Sequence, residues 1–233
     1  MHNGKVSFNI NTDKEGRLIA PHQQAKWIGT DEAGKGDYFG PLVAAGVLVD
    51  NALAKSLWQL GVKDSKQLSD NAISKLAITI KKVCQYSVVV IGPAKYNELY
   101  AKMRNLNRLL AWGHARVIEN ILDKEVCEYA LSDQFGDEKF ITQALMKKGR
   151  RIVVRQKTRA ETDIGVAAAS ILARDEFVCR LALLSKQYSM DFPKGASNAV
   201  VEAGKGFLDK YGKERLKEVA KVHFKTTKLV LAE

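Results

Sequence analysis

Cysteine and proline are scarce in this 233-residue chain, which holds three of the first and four of the second. Cys84, Cys127 and Cys179 lie far apart and form no CxxC pair, so zinc-ribbon and thioredoxin-like readings lose support. So sparse and odd a set fits a reducing compartment rather than a disulfide framework. Low glycine and proline exclude collagen-like and proline-rich low-complexity chains. No uncharged apolar run approaches the roughly 18 residues that a membrane-spanning helix needs. The first residues, MHNGKVSFNINTDKEG, lack the basic-then-apolar layout of a secretory signal. A cytoplasmic protein with no membrane partner is therefore expected. There is no internal repeat and no mid-chain linker.

Acidic residues are outnumbered. Asp and Glu total 26 against 37 Lys and Arg, a formal net charge of +11. Such a surplus favours a polyanionic partner, nucleic acid above all. Part of it is local: residues 147–159 (KKGRRIVVRQKTR) carry seven Lys or Arg and no acid, and residues 205–228 carry eight against three acids. Basic runs are commonly plain solvated faces, but the chain-wide excess favours a role in tracking phosphates.

At 46% hydrophobic and 27% charged residues, the composition is that of a globular protein with a sizeable core. Residues 1–26 are polar and weakly patterned, and read as a short leader with one edge strand at 5–10. Five strands are expected beyond it: 27–30, the almost wholly apolar 41–49, 86–91, 128–132 and 151–155. Helical periodicity covers 96–122, with Gly113 as a mild interruption, then 164–185 and 206–221. The small stretch Ala167-Ala168-Ala169-Ser170 would let its helix sit close to a sheet. One α/β domain over residues 27–233 is the economical reading.

Three places concentrate acids. In WIGTDEAGKGDYFGP (27–41), Asp31 and Glu32 end a strand and are followed by Gly34-Lys35-Gly36. Adjacent strand residues point to opposite faces, so their carboxylates converge only if the chain bends, here expected after Asp31. Such a pair suits Mg²⁺, and a Gly-Lys-Gly turn lets backbone N–H groups and a lysine approach a phosphate. A solvated acidic turn is the bland alternative. Asp133 ends another apolar strand, where turn formation is the ordinary role. Glu161 and Asp163 precede the small-residue helix, where Thr162 or Asp163 would serve as an N-cap. Taken together, four acids on one rim of a basic protein could hold two divalent ions and hydrolyse a phosphodiester.

GTDEAGKGDYFGP (29–41) resembles the opening motif of the type 2 ribonucleases H, the family of RNase HII and RNase HIII. The likeness continues in family order through DSKQL (64–68), YNELY (96–100), NLNRLLAWGHA (105–115), SDQF (132–135), TRAE (158–161), VAAASI (166–171), PKGAS (193–197) and VAKVHF (219–224). The NLNRLLAWGHA, DQF and PKGAS blocks are most similar to RNase HIII.

The resemblance implies an RNase H-like fold: a five-stranded mixed sheet flanked by helices, with a helical C-terminal extension. It implies endonucleolytic cleavage of the RNA strand of RNA–DNA hybrids with Mg²⁺ or Mn²⁺, leaving 5′-phosphate and 3′-hydroxyl ends. Asp31, Glu32, Asp133 and Glu161 fall on the family's four metal-holding acids. The spacer after Glu161 is one residue short of the family pattern, which makes Asp163 the rival. Gly34, Lys35 and Gly36 would lie along the scissile backbone, and Ser65, Lys66, Asn105 and Asn107 would contact phosphate or sugar. His114 is expected to be a core histidine rather than a base. RNase HIII proteins usually carry an N-terminal domain of TATA-binding-protein-like fold. Residues 1–26 are too short for one, so affinity is expected to rest on the catalytic domain's own basic surface. A monomer is expected. Incision at single ribonucleotides embedded in DNA, as by RNase HII, and hybrid binding with weak turnover are the alternatives.

Overall fold

Alternating β-branched and small residues build the centre of the molecule. The structure is a computed structural model and describes residues 26–232; the strand expected at 5–10 lies outside the described residues, as does most of the leader. Strand β1 (Lys26–Ala33) pairs antiparallel with β2 (Leu42–Asp50), and β2 pairs antiparallel with β3 (Gln85–Ile91). On the other flank β1 pairs parallel with β4 (Tyr129–Asp133), and β4 with β5 (Val153–Lys157). The result is the expected five-stranded mixed sheet, in the order β3-β2-β1-β4-β5.

Helices cover both faces. Between β2 and β3 come α1 (Asn51–Gln59) and α2 (Asp70–Val83); between β3 and β4 come α3 (Pro93–Met103) and α4 (Leu106–Leu122). Helix α5 (Glu138–Ala144) precedes β5, and α6 (Ile164–Tyr188), α7 (Asn198–Tyr211) and α8 (Thr226–Val230) complete the chain. The period-2 alternation of β1 and β2 divides the core. Trp27, Val43, Ala45, Val47 and Val49 pack towards α6, and Ile28, Leu42, Ala44 and Leu48 towards α4. Gly29 lets α6 approach closely, since a Cβ there would lie 2.1 Å from the Gly165 carbonyl carbon.

Three expectations about elements need correction. The periodicity over 96–122 spans two helices, broken not at Gly113 but at Arg104, which is left-handed (φ 49°). Asn105 then caps α4, its Oδ1 accepting from Arg108 N–H at 3.2 Å. Gly113 stays helical and packs against Ala44 of β2. The helix expected at 206–221 is instead α7 at 198–211, stopped by Gly212 (φ 80°) and followed by a short 3-10 turn at Lys213–Glu218. Helices α1, α2 and α5 are not among the expected elements: α1 and α5, at nine and seven residues, have too few turns for a clear period, whereas α2 does carry the helical stripe Ile73, Ala77 and Ile80.

Candidate active site

The site follows from strand register. Thr30 of β1 is paired with Ser132 of β4, and the two strands run parallel. Asp31 and Asp133, one residue further along each, therefore stand on neighbouring strands about 5 Å apart at the same end of the sheet. Both lie on the α6 side, while Glu32 lies on the α4 side. The bend expected after Asp31 does not occur there: Asp31 and Glu32 both stay in β1, paired with Ala45 and Ala44. The chain turns at Gly34, with φ 86°. The acids meet over the end of the sheet, where the two faces open into one cavity.

That cavity is about 460 Å³ and is lined by Asp31, Glu32, Asp133, residues 33–37, Ser65, Lys66, Arg174, Phe177 and Lys194. It gathers three of the four expected acids, the whole Gly34-Lys35-Gly36 turn, Ser65 and Lys66. Asn105 and Asn107 are not among its lining residues; Asn105 caps α4 and Asn107 packs against Gly136. Glu161 is half-buried in a 3-10 turn (Ala160–Thr162), also outside the lining.

Each acid is held differently. Burial raises the Asp31 carboxyl well above the usual range, and the charges of Glu32 and Asp133 add to this; the Glu32 N–H at 2.8 Å and the Lys66 ammonium oppose it. Glu32 is also buried, which by itself would raise it. His114, through its hydrogen bond and charge, and then Lys35 outweigh burial and hold Glu32 below its ordinary value. The contacts are His114 Nε2 to Glu32 Oε2 at 3.1 Å and Lys35 Nζ to Glu32 Oε1 at 3.4 Å. Asp133 Oδ1 accepts from Ala160 N–H at 3.0 Å. Arg159, left-handed at φ 56°, turns the chain after β5 so that this N–H faces Asp133.

Asp163 has another task. It is 1% exposed, and its Oδ1 accepts from Gly165 N–H (2.9 Å), Val166 N–H (3.0 Å) and Trp27 Nε1–H (3.1 Å). It caps α6 and is tied to Trp27, four residues back along β1 from Asp31. Asp163 is thus the cap that the local sequence suggested.

His114 is a core histidine, as expected, but it does more than fill space. Its Nδ1 lies 2.9 Å from Thr30 Oγ1, its ring stacks on Phe135, and its Nε2 fixes the Glu32 carboxylate. A lone histidine on a helical stripe gave no sign of this, because the link runs between distant segments. Arg174 and Lys194, also missed, share Asp70 at 3.2 and 2.9 Å on the cavity rim.

The donor set suits a hard divalent ion in an open site. Three carboxylates repel one another around Asp31, and cation binding would relieve that. Among the described residues, no three His, Cys, Asp or Glu side chains are clustered so as to hold an ion by themselves. Mg²⁺ is commonly held by one or two carboxylates, with waters and substrate phosphates completing its shell.

A family model for ribonuclease HII matches residues 28–227. The chain belongs to the type 2 ribonuclease H family. Within it the chain is similar to ribonuclease HIII of Protochlamydia amoebophila, 49% identical over 215 residues covering 92% of this chain and 70% of that protein. Ribonuclease HIII of Chlamydia abortus is 50% identical over 202 residues, covering 85% of this chain and 67% of that one. Among solved structures, the Mn²⁺ complex of Bst-RNase HIII has a TM-score of 0.83 at 34% identity, covering 89% of this chain and 70% of that one. Aquifex aeolicus RNase H3 has a TM-score of 0.71 at 28% identity, covering 87% and 74%. This type 2 ribonuclease H thus has the sheet and flanking helices that the motifs implied. Among the described residues no helix is long and apolar enough to cross a membrane.

Proposed function

We propose that this type 2 ribonuclease H hydrolyses the RNA strand of RNA–DNA hybrids endonucleolytically, with residues 27–233 as the catalytic unit. The observation that carries the reading is the meeting of Asp31, Glu32 and Asp133 in one cavity rimmed by Lys35, Lys66, Arg174 and Lys194. Acids alone would repel a nucleic-acid backbone, and cations alone would bind it without cutting. Asp31, Glu32 and Asp133 would hold Mg²⁺ or Mn²⁺, with Asp31 between the other two. Glu161 is the better fourth acid, since it directly follows the residue that binds Asp133, whereas Asp163 is committed to α6. When bound, a pair of such ions supplies an activated water and stabilisation of the leaving oxygen.

The chain's own groups do the rest. The four rim cations neutralise phosphates and set the strand's register. Gly34 and Gly36 present backbone without side chains on either flank of Lys35, which suits recognition of a ribose 2′-hydroxyl. His114 keeps Glu32 ionised and oriented. Water adds to phosphorus and the P–O3′ bond breaks, leaving 5′-phosphate and 3′-hydroxyl ends. The Mn²⁺ complex of a structural relative agrees with divalent-metal dependence. A cytoplasmic monomer remains the expected state.

The test is cleavage of an end-labelled hybrid with Mg²⁺ or Mn²⁺, beside a duplex bearing one embedded ribonucleotide. Hybrid cleavage is expected to dominate. Asp133→Asn should abolish it while hybrid binding survives; cutting at the wild-type rate by Asp133→Asn would sink the metal assignment.

A further inference from the structure

Lys221 is an oddity in the core. It is 0% exposed, lies far along the chain from every acid of the site, and has no role in the mechanism above. Its Nζ donates to the backbone carbonyls of Asp37 (2.7 Å), Gly40 (2.8 Å) and Phe39 (3.4 Å), and sits 5.7 Å from the Tyr96 ring centre. Those carbonyls belong to the loop that leaves the cavity, since residues 34–37 line it and residues 37–40 lead away to β2.

We propose that Lys221 is a positioning residue for substrate binding: its buried amine pins residues 37–40, and so fixes the Gly34-Lys35-Gly36 turn against which the hybrid backbone rests. The inference rests on the hydrolase reading given above.

Three further observations support it. First, the segment around Lys221 is itself laid along the loop like an added strand. Phe39 bridges Ala220, Gly40 N–H donates to Val219 O at 2.9 Å, and Lys221 N–H donates to Tyr38 O at 2.8 Å. Second, that segment is anchored from behind by α3. Asn97 Nδ2 donates to the carbonyls of Lys217 and Ala220, Asn97 Oδ1 accepts from Val222 N–H, and the His223 ring stacks on Tyr100 at 3.9 Å. Third, the loop's opposite flank is held by the cavity rim: Tyr38 N–H donates to Gly195 O, and Gly195 N–H to Asp37 Oδ1. The loop is thus clamped between residues 194–195 and 217–223, with Lys221 at the centre.

A side chain chosen for packing alone would be apolar. Burial here pulls the Lys221 ammonium down to about 7 against the opposing Asp37 carboxylate, so the position is an expensive one for lysine. What lysine offers is three donors on one compact head at the end of a long apolar stem, which matches a set of converging loop carbonyls. Asp31 and Glu32 sit on β1 and Asp133 on β4, held by the sheet ladder and not by this clamp, and Glu161 lies in the turn after β5. Loss of the pin should therefore disturb substrate placement and leave metal binding intact.

The experiment uses the full chain and compares wild type with Lys221→Met, of similar length but without donors. Hybrid cleavage is measured at saturating Mg²⁺ and at a temperature where melting curves show both proteins folded. The hybrid KM is expected to rise about tenfold. The kcat should stay within about twofold, with half-saturating Mg²⁺ unchanged. Val230→Ala, a core change between α7 and α8, serves as the stability control and should lower the melting temperature at constant KM. A folded Lys221→Met protein with the wild-type KM overturns the proposal, as does a fall in kcat alone. If Lys221→Met does not fold, Asn97→Ala takes its place: a raised KM supports the clamp and an unchanged one overturns it. A wild-type protein that cuts no hybrid sinks the hydrolase reading instead; the clamp is then judged from hybrid affinity by fluorescence anisotropy in Ca²⁺, where equal Kd values for wild type and Lys221→Met overturn it.

Discussion

Asp163 and Glu161 are two residues apart, and substituting each in turn separates capping from catalysis. Asp163→Ala removes an acceptor that serves two N–H groups of the first α6 turn and the buried Trp27 indole. Loss of an Asp cap costs about 1 kcal/mol, and loss of the one further buried hydrogen bond, from the Trp27 indole, about 1.5–3 kcal/mol, so a total of about 2.5–4 kcal/mol is expected. In a domain of this size that lowers the melting temperature by about 5–15 °C. Asp163→Asn keeps an oxygen at the same place and should melt within about 3 °C of wild type, with cleavage retained. Glu161→Gln should behave oppositely, melting normally and losing metal-dependent cleavage. The assays are thermal unfolding by circular dichroism and cleavage of a labelled hybrid. A folded Asp163→Asn protein that no longer cuts, beside an active Glu161→Gln protein, would refute the assignment. An Asp163→Ala protein with the wild-type melting temperature would refute the capping account.

Four of the five strands were legible because each is a short apolar run ended by a turn signal or an acid; 151–155, which has no such ending, was placed two residues early against the observed Val153–Lys157, and the strand order was not legible at all. That Asp31, Glu32 and Asp133 would gather at one place was legible too, because carboxylates at the ends of neighbouring apolar strands share the end of the sheet, and all three line one cavity. Their convergence was misread in detail, since a bend was placed after Asp31 where β1 in fact continues. Periodicity describes a strand's two faces but not where the sheet stops, and it is the sheet's end that lets both faces share one cavity. Contacts between distant segments left no local trace. His114 on Glu32, Asp70 under Arg174 and Lys194, and Lys221 beneath residues 37–40 each link segments with no pattern in common. Asn105 has a local role that the motif reading did not name: it caps α4, the ordinary use of Asn at a helix start.

Gly34→Ala should cost at least about 2 kcal/mol and impair cleavage, because φ is 86° and the new Cβ would lie 2.2 Å from the Pro41 carbonyl oxygen; a wild-type melting temperature would contradict this. Hybrid affinity should fall by about 3 to 4 decades per decade of salt if Lys35, Lys66, Arg174 and Lys194 each meet one phosphate, and Lys66→Ala should reduce that slope by about one. Asp31→Asn tests the repulsion that a metal is expected to relieve. Burial and the charges of Glu32 and Asp133 raise the Asp31 carboxyl in the folded protein. A carboxyl raised on folding contributes stability while protonated and loses it as pH rises through its folded value. In chelator, the melting temperature of Asp31→Asn should therefore differ little from wild type near about pH 4, and should exceed it increasingly towards neutrality. Saturating Mg²⁺ should then raise the wild-type value and close the gap, because binding to the folded state alone stabilises it. A gap that stays constant with pH, or that Mg²⁺ leaves open, would mean that the carboxylates at the end of β1 and β4 neither repel one another nor share a cation.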